Sequence, residues 1–343
     1  MTSAAQQLVN TPPAQTPFDI MRAAFVELRV RNLAASEHFY AELLGMIVSA
    51  RSEDAVYLRG WEERQHHSLI LRRGPVPAAA RLGFRTRSEA DLELLAEHFA
   101  GRAQRWTQAG ADPGMGRSLR VHDAFGYPLE FFHAIDQFET QHQRFDRHRG
   151  APLLRFDHVN LHSPRVEETL RFYLSLGFRA SEYISTDDRT DERITGAWLA
   201  RKPTVHDVAL TAGTGPRLHH FAYWIAEPAG VLRACDQLAG GHHAEVIERG
   251  PGRHGVSNAF FVYLRDPDGH RIELYSCDYY TGDPDHRPLR WSVNDARCRS
   301  FWGARAPDSW YDESSLVLGP GGEPVATEPA DVDERAQHSE VLA

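Results

Sequence analysis

The sequence predicts an α+β fold of four βαβββ units arranged as two tandem pairs, and three observations predict it. A strand followed by an amphipathic helix occurs twice at matching places. AFVELRV (24–30) precedes a helix carrying SEHFYAELLGM, with Phe39, Leu43 and Leu44 on one face. RFDHVNL (155–161) precedes EETLRFYLSLGF, with Leu170, Tyr173 and Leu174 on the corresponding stripe. Both helices run into a glycine, Gly45 or Gly177, which suits a left-handed C-terminal cap. A closing strand also repeats: DAFGYPLEFF (123–132) and DPDGHRIELY (266–275) are each a turn signal followed by alternating residues.

In chain order, residues 1–20 are rich in Gln, Thr, Ala and Pro and are expected to form a flexible or loosely docked arm. Residues 21–140 hold the first pair of units and 150–277 the second, with the boundary between Gln141 and Pro152. Residues 278–318 follow as a segment rich in aromatic and turn residues. From Gly319 onward Glu323, Glu328, Asp331, Asp333, Glu334 and Glu340 are scattered among Pro and Gly, so 319–343 is expected to be a disordered acidic tail.

With 42% hydrophobic and 25% charged residues in a chain of 343, the composition is that of a soluble folded protein, and no apolar run is long enough to span a bilayer. The N-terminus lacks a basic start followed by an apolar stretch, so the expected location is cytoplasmic. A formal charge of -9 argues against nucleic-acid binding. Cys235, Cys277 and Cys298 show no paired spacing and are expected to be incidental thiols.

Chemistry is expected in the second pair of units. His158 in RFDHVNLH, a histidine of RLHHFAYW and Glu273 in HRIELY would give two imidazoles and one carboxylate on one face of a divalent ion. That set leaves positions open for substrate and oxygen, as in non-haem iron oxygenases. Strand alternation puts His158 and Asn160 on one face and Glu273 out of phase with Ile272 and Leu274. Alternation does not choose between His219 and His220, and it is equally compatible with a solvent-facing Glu273. In the first pair, Glu27 is expected at the place of His158 and Gly83 or Phe84 at that of His220. Only the carboxylate persists there, as Glu130, so residues 21–140 are assigned a structural role.

RFDHVNLHSP, AWLARKPTVHDVALTAGTGPRLHHFAYW, IERGPGRHGVSNAFFVYLRDPDGHRIELYSCDYYTGDP and the later FWG, SWY and SLVL resemble the type I extradiol ring-cleaving dioxygenases of the vicinal oxygen chelate (glyoxalase-like) superfamily. The resemblance covers the chain from Leu153 onward and is one of layout before that. It implies His158, His220 and Glu273 as ligands of Fe(II), or alternatively Mn(II), with O2 as co-substrate. It also implies His206 as acid–base residue, Tyr263 and Asn160 beside substrate and oxygen, Trp198 in the pocket wall, and Arg249, His254 and Arg299 near a substrate carboxylate. From the residues alone, His206 reads as a turn histidine beside Asp207. The implied reaction is extradiol cleavage of a catechol, with 3,4-dihydroxyphenylacetate cut at the 2,3 bond, in a homotetramer whose residues 278–318 form a lid. Members that cleave this acid carry two adjacent arginines near the C-terminus where this chain has Cys298 and Arg299, which keeps other substituted catechols open. A glyoxalase-like isomerase or a metal-free binding protein of the same fold is the remaining alternative.

Overall fold

The computed structural model describes residues 3–100, 106–109, 112–188 and 190–332. The first unit is β1 (Ile20–Val30), a helical segment, β2 (Ile47–Arg51), β3 (Ala55–Arg59) and β4 (Leu69–Arg73). The second is β5 (Ala78–Thr86), the helix Glu89–Ala100, β6 (Trp106–Ala109), β7 (Ser118–His122) and β8 (Pro128–Phe132). The third is β9 (Arg155–Ser163), the helix Val166–Ser175, β10 (Arg179–Ser185), β11 (Ile194–Ala200) and β12 (Val208–Ala212). The fourth is β13 (Arg217–Trp224), the helix Pro228–Gly240, β14 (Ile247–Arg253), β15 (Phe260–Arg265) and β16 (Arg271–Ser276).

Within each unit the last strand lies parallel to the first: β4 beside β1, β8 beside β5, β12 beside β9 and β16 beside β13. The two units of a pair join through their first strands, antiparallel, as β1–β5 and β9–β13. Each pair is therefore a half-open sheet curled around a central cleft, and the helices cover its outer face with the buried stripes Leu170–Tyr173–Leu174 and Val231–Ala234–Leu238. Gly45 and Gly177 close their helices at φ 76° and 84°. The first helical segment differs from expectation: a short α-helix, Leu33–Glu37, passes into a π-helix, His38–Leu43, which buries Phe39 and Tyr40 together. Two further strands, β17 (Leu289–Ser292) and β18 (Ser315–Val317), extend β10 and bridge β13 to β5. Among the described residues no helix is long and apolar enough to cross a membrane.

Both ends of the chain depart from the sequence expectation. The arm contains a capped helix, Ala4–Val9, whose Ala5 and Val9 are buried against the core. The tail is ordered as far as residue 332. Val325 N donates to Val317 O, Glu328 exchanges backbone hydrogen bonds with Gly215, and the carboxylates of Glu328 and Asp331 pair with Arg165 and Arg193. Charges that read as a solvated acidic run are thus paired with arginines of the third unit. Residues 333–343 lie outside the described ones.

Register corrects the expected correspondence between the halves. Gly83 faces Glu130 as Ala222 faces Glu273, and Phe25 then faces Gly83 as His158 faces Ala222. Phe25, not Glu27, therefore stands where His158 does, and Arg81, not Gly83 or Phe84, where His220 does. Glu27 falls at the place of Asn160. A Cβ at Gly83 would lie 2.1 Å from the Phe25 ring, so that ring fills the cleft. The Arg81 guanidinium replaces any ion, pairing with Glu27, with Asp112 at 2.6 Å and with Glu130 at 2.8 Å. Arg81→Met leaves these carboxylates with only the peripheral Arg29, Arg72 and Arg120. A loss of about 3–5 kcal/mol is expected, the scale for breaking a buried ion pair. Denaturant unfolding checks this, and a loss under about 1 kcal/mol would show that Arg81 is not the central cation.

Candidate metal centre and its cavity

His158 on β9, His220 on β13 and Glu273 on β16 come together at the floor of the cleft between units three and four, with their ligand atoms within 4.8 Å of one another. The parallel pairing of β13 with β16 and the antiparallel pairing of β13 with β9 put Ala222 between His158 and Glu273, which lets both side chains reach one point. Glu273 Oε2 lies 3.0 Å from His158 Nε2 and 3.3 Å from His220 Nε2. Glu273 is 2% exposed, so its alternation phase means burial toward the cleft.

Hydrogen bonds behind the ring fix the tautomers. His158 Nδ1 donates to Asp157 Oδ2 at 2.8 Å, which leaves the Nε2 lone pair toward Glu273. His219 Nε2 donates to Trp310 O at 3.0 Å, so its Nδ1 accepts from His220 Nδ1 at 2.7 Å, and His220 Nε2 is again a bare lone pair. Three electron-pair donors thus converge on one spot, and Glu273 Oε1 has no hydrogen-bond partner among the described residues. This donor set fits a divalent cation of the Fe(II) or Mn(II) type. Burial opposes ionisation of Glu273, but the two imidazoles facing it, His158 and His220, outweigh burial and hold the carboxyl well below its ordinary range. Burial likewise pushes His158 down, yet Asp157 and Glu273 outweigh it and hold it above its ordinary value. For His220 burial wins, and its value falls to about 4.

Above this floor is a cavity of about 310 Å³ that every residue implied by the resemblance lines: Asn160, Trp198, His206, Arg249, His254, Tyr263 and Arg299. Asn160 Oδ1 accepts from Thr211 Oγ1 at 2.9 Å. His206 is 2% exposed, its ring centroid is 3.8 Å from that of His158, and its Nδ1 has no hydrogen-bond partner among the described residues. It is a cavity residue, not a surface turn histidine. Burial, then the charges of His158 and Lys202, holds it neutral, well below its ordinary value. His254 Nδ1 donates to Arg299 O, so its Nε2 accepts from the Tyr263 hydroxyl at 2.8 Å. Burial, then Arg249, lowers His254 to about 3.

Arg249 is 3% exposed and pairs with no carboxylate among the described residues. Its Nη2 donates to Ser300 Oγ at 2.8 Å and to Arg299 O, while Nε and Nη1 have no hydrogen-bond partner among the described residues. Its guanidinium lies 4.3 Å from the Trp310 ring centroid. Sequence reasoning named Trp310 only as part of SWY, and it missed His162, Ser257 and the tail residues Pro329, Ala330 and Val332, all of which line the cavity. His162 carried a signal, since it continues the i, i+2 row of His158 and Asn160. The tail carried none. Cys298 is buried behind Trp198 in an apolar cluster with Val256 and Val293, and all three cysteines are free.

The Glyoxalase/Bleomycin resistance protein/Dioxygenase superfamily model matches residues 22–131 and 155–274, which are the two strand-and-helix pairs. A manganese-dependent 2,3-dihydroxybiphenyl 1,2-dioxygenase of Geobacillus genomosp. 3 is 31% identical over 83% of this chain and 94% of its own. A metapyrocatechase of Geobacillus stearothermophilus is 30% identical over 86% and 93%. The crystal structure of homoprotocatechuate 2,3-dioxygenase from Arthrobacter globiformis superposes with a TM-score of 0.88 at 42% identity, covering 92% of this chain and 98% of that one. The repeat, the histidine–carboxylate floor and these likenesses agree, and the chain belongs to the extradiol ring-cleaving dioxygenases of that superfamily.

Proposed function

We propose that this protein is a metal-dependent extradiol dioxygenase that adds both atoms of O2 to a carboxylate-bearing catechol. The preferred substrate is 3,4-dihydroxyphenylacetate, cut at the 2,3 bond to 5-carboxymethyl-2-hydroxymuconate semialdehyde. The observation that carries this is one cavity holding both the His158–His220–Glu273 floor and an Arg249 guanidinium with two unpartnered nitrogens. His158, His220 and Glu273 would hold Fe(II), with Mn(II) as the alternative, and the metal would supply a path for electron density from catecholate to dioxygen. Arg249 then holds the substrate carboxylate by a charge-assisted fork, with Arg299 at the same end. Trp198 and Trp310 wall the ring, and Tyr263, held by His254, faces a ring oxygen. His206 takes a proton from the catechol and returns it as the oxygen–oxygen bond breaks. Residues 278–318 and the ordered tail keep bulk water from the cavity. The proposal includes a homotetramer in the cytoplasm, supported by the resemblance and by three free thiols.

Relatives named for 2,3-dihydroxybiphenyl and catechol cleavage favour a second reading in which the side chain is uncharged, and the absence of a second arginine at Cys298 fits it. Oxygen uptake by protein reconstituted anaerobically with Fe(II) separates the two. Uptake with yellow product is expected from 3,4-dihydroxyphenylacetate, and Arg249→Ala is expected to raise KM for that acid about 10- to 100-fold while leaving unsubstituted catechol near its native value. Equal effects on both would remove the carboxylate pocket, and no uptake with either metal would remove the dioxygenase.

A further inference from the structure

The chain contains 38 Lys and Arg residues, and a single one of them, Lys202, is lysine. A protein that uses arginine at every other cationic position keeps an ammonium here. The residue is no surface charge: its side chain is 16% exposed and lies between two buried carboxylates. Lys202 Nζ is 3.2 Å from Asp157 Oδ1 and 3.8 Å from Asp207 Oδ1, and it also donates to the Asp157 carbonyl. Asp157 is the acceptor that fixes the tautomer of His158. Asp207 directly follows His206 in the chain. Its Oδ2 accepts from Arg201 N at 2.7 Å and Lys202 N at 3.1 Å, its Oδ1 accepts from Ala23 N of β1 at 2.8 Å, and its carbonyl accepts from Val159 N beside His158.

We infer that Lys202 is a positioning residue of the metal centre: through Asp157 it orients His158, and through Asp207 it holds His206 against the same strand. The inference rests on His158, His220 and Glu273 being the ligands. The chemistry favours lysine. A compact ammonium with three donors on a flexible stem satisfies a carbonyl and two carboxylates arriving from different directions, whereas a planar guanidinium matches one carboxylate edge-on and needs more room. With the charge removed, two carboxylates lose their shared counter-ion, and Asp157 is free to turn away from His158 Nδ1. Partners of this kind behind a metal-binding histidine typically govern affinity by about 10–100-fold.

The test is Mn(II) binding to metal-free protein, followed by the loss of the free-ion EPR signal, in native protein, Lys202→Met, Lys202→Ala and Glu273→Ala. The expected result for Lys202→Met is a dissociation constant raised about 10–100-fold with an altered EPR line shape for the bound ion. Ethylammonium is expected to restore part of the affinity to Lys202→Ala. A role confined to stability would lower the unfolding temperature while leaving the dissociation constant within twofold of native and the line shape unchanged, and that outcome overturns the inference. If neither Lys202 variant folds, the same titration on Asp157→Asn decides, with unchanged affinity again overturning it. Native affinity in Glu273→Ala would instead bring down the ligand assignment itself. Weak binding in Glu273→Ala beside native binding in Lys202→Met brings down only the role of Lys202.

Discussion

Glu273→Ala is expected to leave the protein folded and nearly free of metal. The backbone of β16 pairs with β13 and β15 whatever its side chains do, so the fold does not depend on this carboxylate. The site does. Among the described residues Glu273 is the one anion facing His158 Nε2 and His220 Nε2, and with it gone the remaining donors are two neutral imidazoles in a buried cleft. Neutral donors do not offset the desolvation of a divalent cation. Loss of an outer-layer partner costs about 10–100-fold in affinity, and loss of the anionic ligand itself should exceed that, at least about 2.8 kcal/mol for each hundredfold. Metal content after reconstitution and desalting, with oxygen uptake on the same samples, is the measurement. Full occupancy in Glu273→Ala would mean the metal sits elsewhere, whereas Glu273→Gln retaining some metal without turnover would be consistent with the assignment.

How far this site was legible in the sequence depends on the geometry each residue obeys. His158 and Asn160 follow strict alternation on β9, and the structure puts both in the cavity. Glu273 was readable as a position but not as a direction, since alternation separates faces without naming the one that is buried. His219 and His220 were unreadable by phase for a specific reason: β13 slips register against β9 between Leu218 and His220, so His219 is a bulged residue and both rings turn into the cleft. The hydrogen bond between their Nδ1 atoms then gives them different jobs, His220 facing the metal position and His219 orienting it. The helices and their glycine caps were legible because they depend on local sequence, whereas the π-helix at His38–Leu43 was not. The correspondence of Arg81 with His220 was hidden too, because it is a matter of pairing between strands far apart in sequence. The tail failed for an opposite reason. Its composition is that of disordered chain, and its order comes from Arg165, Arg193 and Gly215, partners no local window contains.

His206→Asn is expected to keep native metal content and substrate binding and to lose about 10²–10⁴-fold in kcat, the usual contribution of a placed acid–base group. Two other proton carriers at the cavity, Tyr263 and His254, are engaged with each other. Tyr263 donates to His254, whose other nitrogen donates to Arg299 O, and burial, then Glu273, raises the Tyr263 hydroxyl well above its ordinary value. His162 is held at about 3 by burial, then by Arg271. Among the described histidines His206 alone combines an unpartnered ring nitrogen with a place against the metal floor, its ring 3.8 Å from that of His158. Its depressed basicity suits the task. A neutral imidazole accepts a proton as the substrate's hydroxyl ionises, and because it holds that proton weakly it gives it up readily when the oxygen–oxygen bond breaks. Asparagine preserves the size and one donor but carries no proton between those events. Turnover under saturating oxygen, together with metal content and the substrate dissociation constant, separates this from a binding defect. If Tyr263→Phe cost more in kcat than His206→Asn, the proton would have to travel by way of Tyr263 and His254, and the role given to His206 would fall.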